Sequence, residues 1–344
     1  MKKALPYIPI LLLLLSSCEK QIPIDIDDQE AKVVVRAQGE TDIPLSMTLT
    51  KSIPVFGVSY SSNGGSQFPT VTNAQVSIVV NNTSTPITAT SYENHYTLPY
   101  IPQEGDHIDL HIDVPGYPPL TASTIVPPKP LVGDLQLTES RQTNIDGYEE
   151  VNLTLFVPLT DREATADYYC ITLNRYDTVF YTYYNDTGAI IDYDTMTDIV
   201  SWFECQDQLI VTDIDPAAAL EGAAVPIFFG SEMLFSDQRI NGVSHNIELN
   251  PDLYLGSYQS EGYYRNGQYY PNFTFTLHCA FVVEVSALTH DDYLYRKTTE
   301  SAYGDEFTNF FSEPVQIHSN IDGGIGIFSI NSKKRLTCYH TIQP

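Results

Sequence analysis

The sequence predicts a mainly all-β chain: an N-terminal β-sandwich followed by a second, larger β-sandwich-like module with one short helix. Three observations predict it. The 344 residues include 24 Tyr, 22 Pro and 19 Gly beside abundant Thr and Val, a palette of strands and turns. Apolar residues recur at every second position through many short segments, the period of a half-buried strand. A proline-rich break, "VPPKP", divides the chain.

The elements follow in order. Lys2 and Lys3 precede an apolar run over residues 5–15 that ends on Ser16 and Ser17, which reads as a secretory signal over residues 1–17. The run is too short for a bilayer of about 20 helical residues, and Pro6 and Pro9 would disturb a permanent helix. Leu15-Ser16-Ser17-Cys18 resembles the lipobox of bacterial lipoproteins. Cleavage there makes Cys18 the first mature residue, carrying several acyl chains that together anchor durably. Residues 18–30 would then be a tether. The alternative is a soluble exported protein in which Cys18 is incidental.

Residues 31–126 hold about seven strand-like segments, among them "KVVVRA", "LSMTLT", "AQVSIVV", "HYTLPY" and "HIDLHIDV". Seven short strands in about 95 residues describe an immunoglobulin-like sandwich. Proline cannot donate to a ladder, so residues 126–130 mark the boundary. In the second module, residues 131–344, Val151, Leu153, Leu155 and Val157 share one strand face. Phe273, Phe275, Leu277, Cys279, Phe281, Val283 and Val285 share another. In "LTHDDYLYRKTTESAYG", Thr289 caps a helix with Asp292 at the third position, Leu288 staples onto Tyr293, and Gly304 stops it.

Charge excludes one class of partner. The chain carries 17 Lys and Arg against 43 Asp and Glu, a net charge of −26, and loss of Lys2 and Lys3 leaves −28. Such a body is repelled by nucleic acid and anionic lipid headgroups.

Candidate chemistry is sparse. His107, Asp109, His111 and Asp113 share one face of a strand, but alternate residues stand about 7 Å apart, so a solvated face is expected over a metal site. The acidic groups "IDIDDQE", "VTDIDP" and "HDD" lack the calcium-loop pattern. "GGIGIF" reads as a hairpin turn into a strand, because no Lys-Ser/Thr follows. No nucleophile elbow or zinc-protease motif occurs, while a triad assembled in space stays open.

Four cysteines remain after Cys18. Cys170, Cys205, Cys279 and Cys338 allow three disulfide pairings in an exported compartment. A buried free thiol is equally expected for the core-facing Cys279. "YYCITLNRYDTVFYTYYNDTG" and "YQSEGYYRNGQYYPNF" have the composition of recognition loops, or of half-buried strand tyrosines. Trp202, the only tryptophan, argues mildly against a dedicated glycan platform.

"CEKQIPIDIDDQEAKVVVRA", "FPTVTNAQVSIVV", "DQLIVTD", "MLFSDQRINGVSHNIEL", "SALTHDDYLYRKT" and "FSEPVQIHSNIDGGIGIFSI" together resemble one large family. It is the outer-membrane lipoproteins known as domain of unknown function 4249. The resemblance covers about residues 18–330 and is most specific over residues 311–328; residues 176–200 and the stretch after Ile330 match no family pattern. It implies a lipid-anchored protein of the outer membrane, on the cell surface or the periplasmic face, beside a TonB-dependent transporter of the starch-utilisation type. It carries over no catalytic residues and no cofactor. Gly323, Gly324 and Gly326 then read as structural, permitting a tight turn and close backbone approach. The expectation is a non-catalytic accessory or ligand-capture subunit of a nutrient transporter. The alternatives are an adhesive surface protein and a hydrolase with a spatially assembled site.

Overall fold

The computed structural model describes residues 30–53, 68–143, 149–163, 165–214, 227–251, 253, 263–265, 268–270, 272–303 and 316–343. The signal segment, Cys18 and Gly304 lie outside the described residues. The strands and helices named below belong to one unit, residues 32–52 and 68–344.

The described residues up to Val126 form eight strands: β1 (Val33–Glu40), β2 (Ser46–Lys51), β3 (Gln75–Val80), β4 (Ile87–Thr88), β5 (Thr90–Tyr92), β6 (His95–Thr97), β7 (His107–Asp113) and β8 (Leu120–Ile125). Their alternation is clean. Val33, Val35 and Ala37 of β1 are buried while Arg36 is exposed. In β7, Ile108, Leu110 and Ile112 point inward, and His111 and Asp113 face water. One-sided burial is what a period of two produces when a sheet packs on one face only.

Thirteen strands follow: β9 (Leu131–Val132), β10 (Gln136–Thr143), β11 (Glu149–Thr160), β12 (Tyr168–Tyr184), β13 (Ile190–Val200), β14 (Phe203–Cys205), β15 (Phe228–Gly230), β16 (Glu232–Ser236), β17 (Ser244–Pro251), β18 (Tyr263–Arg265), β19 (Gln268–Tyr270), β20 (Asn272–Leu288) and β21 (Ile325–Ile342). Two helices accompany them among the described residues, α1 (Gln208–Ile214) and α2 (His290–Tyr303). The expected single helix is α2; α1 is an addition, started by the Asp207 carboxylate accepting from Leu209 N at 3.1 Å.

A nine-stranded sheet runs β13-β12-β20-β21-β1-β2-β6-β5, with β16 also paired to β12. A four-stranded sheet, β4-β3-β7-β8, and a six-stranded sheet, β10-β11-β17-β14-β15 with β9, complete the sandwiches. The first core joins β1, β2 and β6 to β3, β7 and β8, with Phe328 and Ile330 of β21. The second joins β12, β20 and Ile342 of β21 to β11, β14 and β17. One long sheet therefore roofs both cores. It can do so because β21, 18 residues long, spans about 60 Å at about 3.3 Å per residue. Between the cores, the "VPPKP" stretch is held through Lys129, whose Nζ lies 2.8 Å from Asp42 Oδ2.

Closure depends on β1 pairing with β21 in parallel, Val34 opposite Ile325 through Glu40 opposite Asn331. The "GGIGIF" turn does lead into a strand, but its partner is not a hairpin neighbour. The turn bridges Asp322 to Thr121 and feeds β21 against β1. Gly326 has φ +121°, and a Cβ there would stand 1.9 Å from Val35 O. Only glycine lets these two backbones come so close.

The α2 start is half as expected. Thr289 Oγ1 accepts from Asp292 N at 3.2 Å, and Leu288 and Tyr293 pack in one cluster. The reciprocal bond is supplied from elsewhere: Asn331 Oδ1 accepts from Thr289 N at 3.2 Å. Asp292 is thereby free for another task.

Candidate functional site

Helix α2 packs on the outer face of the nine-stranded sheet, against β12 and β21. Between it, β1 and the β15–β16 turn lies a groove of about 700 Å³, lined by Arg36, Gln38, Trp202, Phe229, Arg296 and Glu300 among others. A second hollow of about 410 Å³ shares Arg36, Gln38 and Arg296 and extends to Thr48 and His95. The alternation of β1 puts these polar groups here, since Val35 and Ala37 take the core side.

A buried hub holds the groove floor. Asp292 is 0 % exposed. Its Oδ1 accepts from Gln38 Nε2 at 2.8 Å, and its Oδ2 from Arg296 Nε at 2.9 Å and Asn331 Nδ2 at 2.6 Å. Arg296 Nη1 donates also to Glu232 Oε1, which accepts from Cys170 Sγ at 3.3 Å. Burial works to lower the Arg296 pKa, but the Asp292 and Glu232 carboxylates outweigh it and push it up. Arg296 is therefore a fixed, oriented cation. Arg36 is exposed and has no carboxylate partner among the described residues.

The lip is aromatic. Trp202 and Phe229 stack at 5.5 Å with 27° between their planes, and they are 51 % and 56 % exposed. Burying such a side chain is worth about 1.5–3 kcal/mol, so a paired, half-wet platform beside a groove marks a contact surface.

The residues singled out by sequence fall elsewhere. Cys18 lies outside the described residues. Cys170, Cys205, Cys279 and Cys338 are free thiols, so none of the three allowed pairings is formed. Cys170 faces the α2 side of the large sheet, whereas Cys205, Cys279 and Cys338 face the second core. Cys279 pairs with His340 and Phe281 with Cys338. That diagonal offset puts Cys279 and Cys338 about 7–8 Å apart at Cα, beyond bridging without backbone movement. Burial pushes the Cys205 thiol up to about 12. Burial, with Asp177 close by, also raises Cys279, and burial with Glu232 raises Cys170.

Between β7 and β8, Ser123 Oγ donates to Asp109 Oδ1 at 2.7 Å and lies 3.3 Å from His107 Nε2. A serine, a histidine and an aspartate do meet here. The hydroxyl hydrogen is committed to the carboxylate rather than the imidazole, however, so the geometry is not that of an activated nucleophile. Among the described residues no group of three potential metal ligands forms. "HDD" resolves into the Asp292 hub and Asp291, whose Oδ1 lies 2.8 Å from His318 Nε2. The first tyrosine segment divides: Tyr169 and Tyr183 are buried, while Tyr176 faces water; much of the second lies outside the described residues, and within it Tyr269 is exposed.

The groove itself was not foreseen. Its residues come from four separate elements, and the sole local signal was the solitary Trp202 directly after a strand.

A model of the family described as domain of unknown function (DUF4249) matches residues 19–337. No curated protein matches the chain. Among solved structures, one titled "Structural basis for the promiscuous specificity of the carbohydrate-binding modules from the beta-sandwich super family" covers 74 % of this chain and 97 % of its own. It does so at 7 % identity and a TM-score of 0.17, too distant to bear on fold or ligand.

Proposed function

The chain belongs to the family of domain of unknown function 4249, and from that premise we propose a lipid-anchored, non-catalytic protein of the outer membrane that captures ligand for a TonB-dependent nutrient transporter. The observation that carries the capture reading is the exposed Trp202–Phe229 pair at the lip of a groove whose floor is fixed by Asp292. A rigid polar floor needs little reorganisation when a ligand arrives, so the ordering cost of binding is small. The anchor reading rests on the Leu15–Cys18 pattern.

The test is extraction of native outer membranes in mild detergent, using a C-terminal affinity tag, followed by mass spectrometry of stoichiometric partners. A TonB-dependent transporter in the eluate is the expected result. Recovery alone or with surface polymers would remove the transporter assignment and favour the adhesive reading. Separately, Cys18→Ser should release the protein from the membrane fraction.

A further inference from the structure

Beyond the helix and groove, the outer face of the nine-stranded sheet continues over the far ends of β13, β12, β20 and β21. The registers set which side chains share it: Thr182 opposite Tyr193 and Thr274, and His278 opposite Thr178 and Thr341. Four positions of β13 (residues 193–199), five each of β12 (176–184) and β20 (272–280), and three of β21 (337–341) point outward by this alternation. None of the seventeen is Asp, Glu, Lys or Arg. At the chain's 17 % charged content, about three charges would fall on such an area, and more on a water-facing one. Eight of the seventeen are threonine. Tyr176, Phe180, Tyr193 and Tyr339 stand exposed among them.

The free edge of this sheet is capped against strand addition at three of the four odd-numbered positions from 193 to 199. Asp192, Asp194 and Asp198 turn their carboxylates onto the next residue's N–H, at Tyr193, Thr195 and Ile199, at 2.9, 2.8 and 2.8 Å. These odd-numbered N–H groups share one side of β13, so the capped groups are those of the outer edge. A strand seeking to pair there meets carboxylates in place of donors. Face-to-face contact with a second copy would bring a charge of −26 onto −26, which opposes association.

What fits is neutral, flat and rich in hydroxyls. Apart from Thr274 and Thr341, which bond to Tyr184 and His278, the threonine hydroxyls have no partner among the described residues. They repeat at about 4.8 Å across strands and about 7 Å along them, and each both donates and accepts. Aromatic faces between them can pack on C–H groups. Where the face ends, Ser201 Oγ donates to Asn174 Oδ1 at 2.6 Å, and the next residue is Trp202 of the groove.

We propose that this uncharged threonine and tyrosine face binds a neutral glycan chain laid across the strands and leading toward Trp202. The inference rests on the ligand-capture reading and names the class of its ligand. Native gels cast with dextran, arabinoxylan or galactomannan, and with polygalacturonate as the anionic counterpart, test it on the full mature chain. At least one neutral polymer should retard the protein and polygalacturonate should not. Phe180→Ala or Thr197→Lys should weaken the retardation about tenfold, with near-UV circular dichroism unchanged, while Asp113→Asn on the other sandwich leaves it intact. Failure of all three neutral polymers, equal retardation by polygalacturonate, or variants that bind as the parent does would each overturn the proposal. If a Thr197→Cys thiol is shielded from maleimide by a co-purified protein, the face is a protein interface and the glycan assignment also falls. Recovery of a transporter without polymer binding would sink this inference alone and leave the accessory role standing.

Discussion

Replacing Gly326 by alanine would force the first and last strands apart. Gly326 sits at φ +121°, and the added Cβ would lie 1.9 Å from Val35 O, 2.8 Å from its carbonyl carbon and 2.9 Å from its nitrogen. All three are backbone atoms, so no side-chain rotation relieves the clash. Reaching even 3.0 Å requires β1 to retreat by roughly 1 Å, which strains the parallel ladder from Val34 to Glu40. Backbone strain of about 1–3 kcal/mol adds to two weakened ladder bonds at about 1 kcal/mol each. The expected loss is about 4 kcal/mol. For a chain this long about 2 °C is lost per kcal/mol, hence a drop in Tm of about 8 °C. Gly105→Ala is the control, because Gly105 has φ +81° with nothing within 4 Å of its Cβ position. It isolates the conformational cost from the clash. Thermal unfolding followed by near-UV circular dichroism compares the two, and a Gly326→Ala protein within about 1 kcal/mol of Gly105→Ala would refute the reasoning.

Further predictions follow from the hub, the thiols and one buried acid. Asp292→Ala leaves Arg296, Asn331 and Gln38 without their shared acceptor and should cost about 3–5 kcal/mol; an unchanged urea midpoint would show that the hub carries no stability. In a Cys18→Ser protein, non-reducing denaturation should expose four thiols to an aromatic disulfide reagent, with Cys338 reacting first as denaturant rises; a lower count would mean a bridge. Burial works to raise Asp106, but the hydrogen bonds from Tyr100, Gln103 and Asn81 lower it below 3.8. Its folded pKa is depressed, so its contribution is full at neutral pH and disappears as pH falls through that lowered value. Burial and the same Asp106 bond push Tyr100 from 10.0 up to about 12, so that contribution is present below pH 10 and is lost as pH rises through about 12. Asp106→Asn should flatten the urea midpoint against pH at both ends, and a profile parallel to the parent's would count against the pair.

The fold was legible where one short stretch decides its own burial. The period-two faces of β7, β11 and β20 are local statements, since a strand with one wet side must alternate. The Thr289 cap was likewise readable, because its bond spans three residues. The return bond was not. Asn331 stands 42 residues from Thr289, and that displacement is what released Asp292 to organise the groove. α1, only seven residues long, is too short to show helical periodicity.

The glycine motif shows the same limit from the other side. Gly323, Gly324 and Gly326 announce that some backbone comes within reach of a missing side chain, and nothing in "GGIGIF" says which. The answer is Pro119 O for Gly323, Val33 O for Gly324 and Val35 O for Gly326, groups some 200 to 290 residues earlier in the chain. A parallel pair formed by the first and last strands has no short connection to betray it. Because the same β21 carries Phe328 into one core and Ile342 into the other, Gly326→Ala should loosen more than β1. Amide exchange should accelerate across β1 and β2 while β12 and β20 stay protected, since their ladder with each other runs unbroken from Tyr168–Leu288 to Tyr184–Asn272. Uniform acceleration over both cores would instead mean that the sheet opens as one unit and that β21 does not divide it.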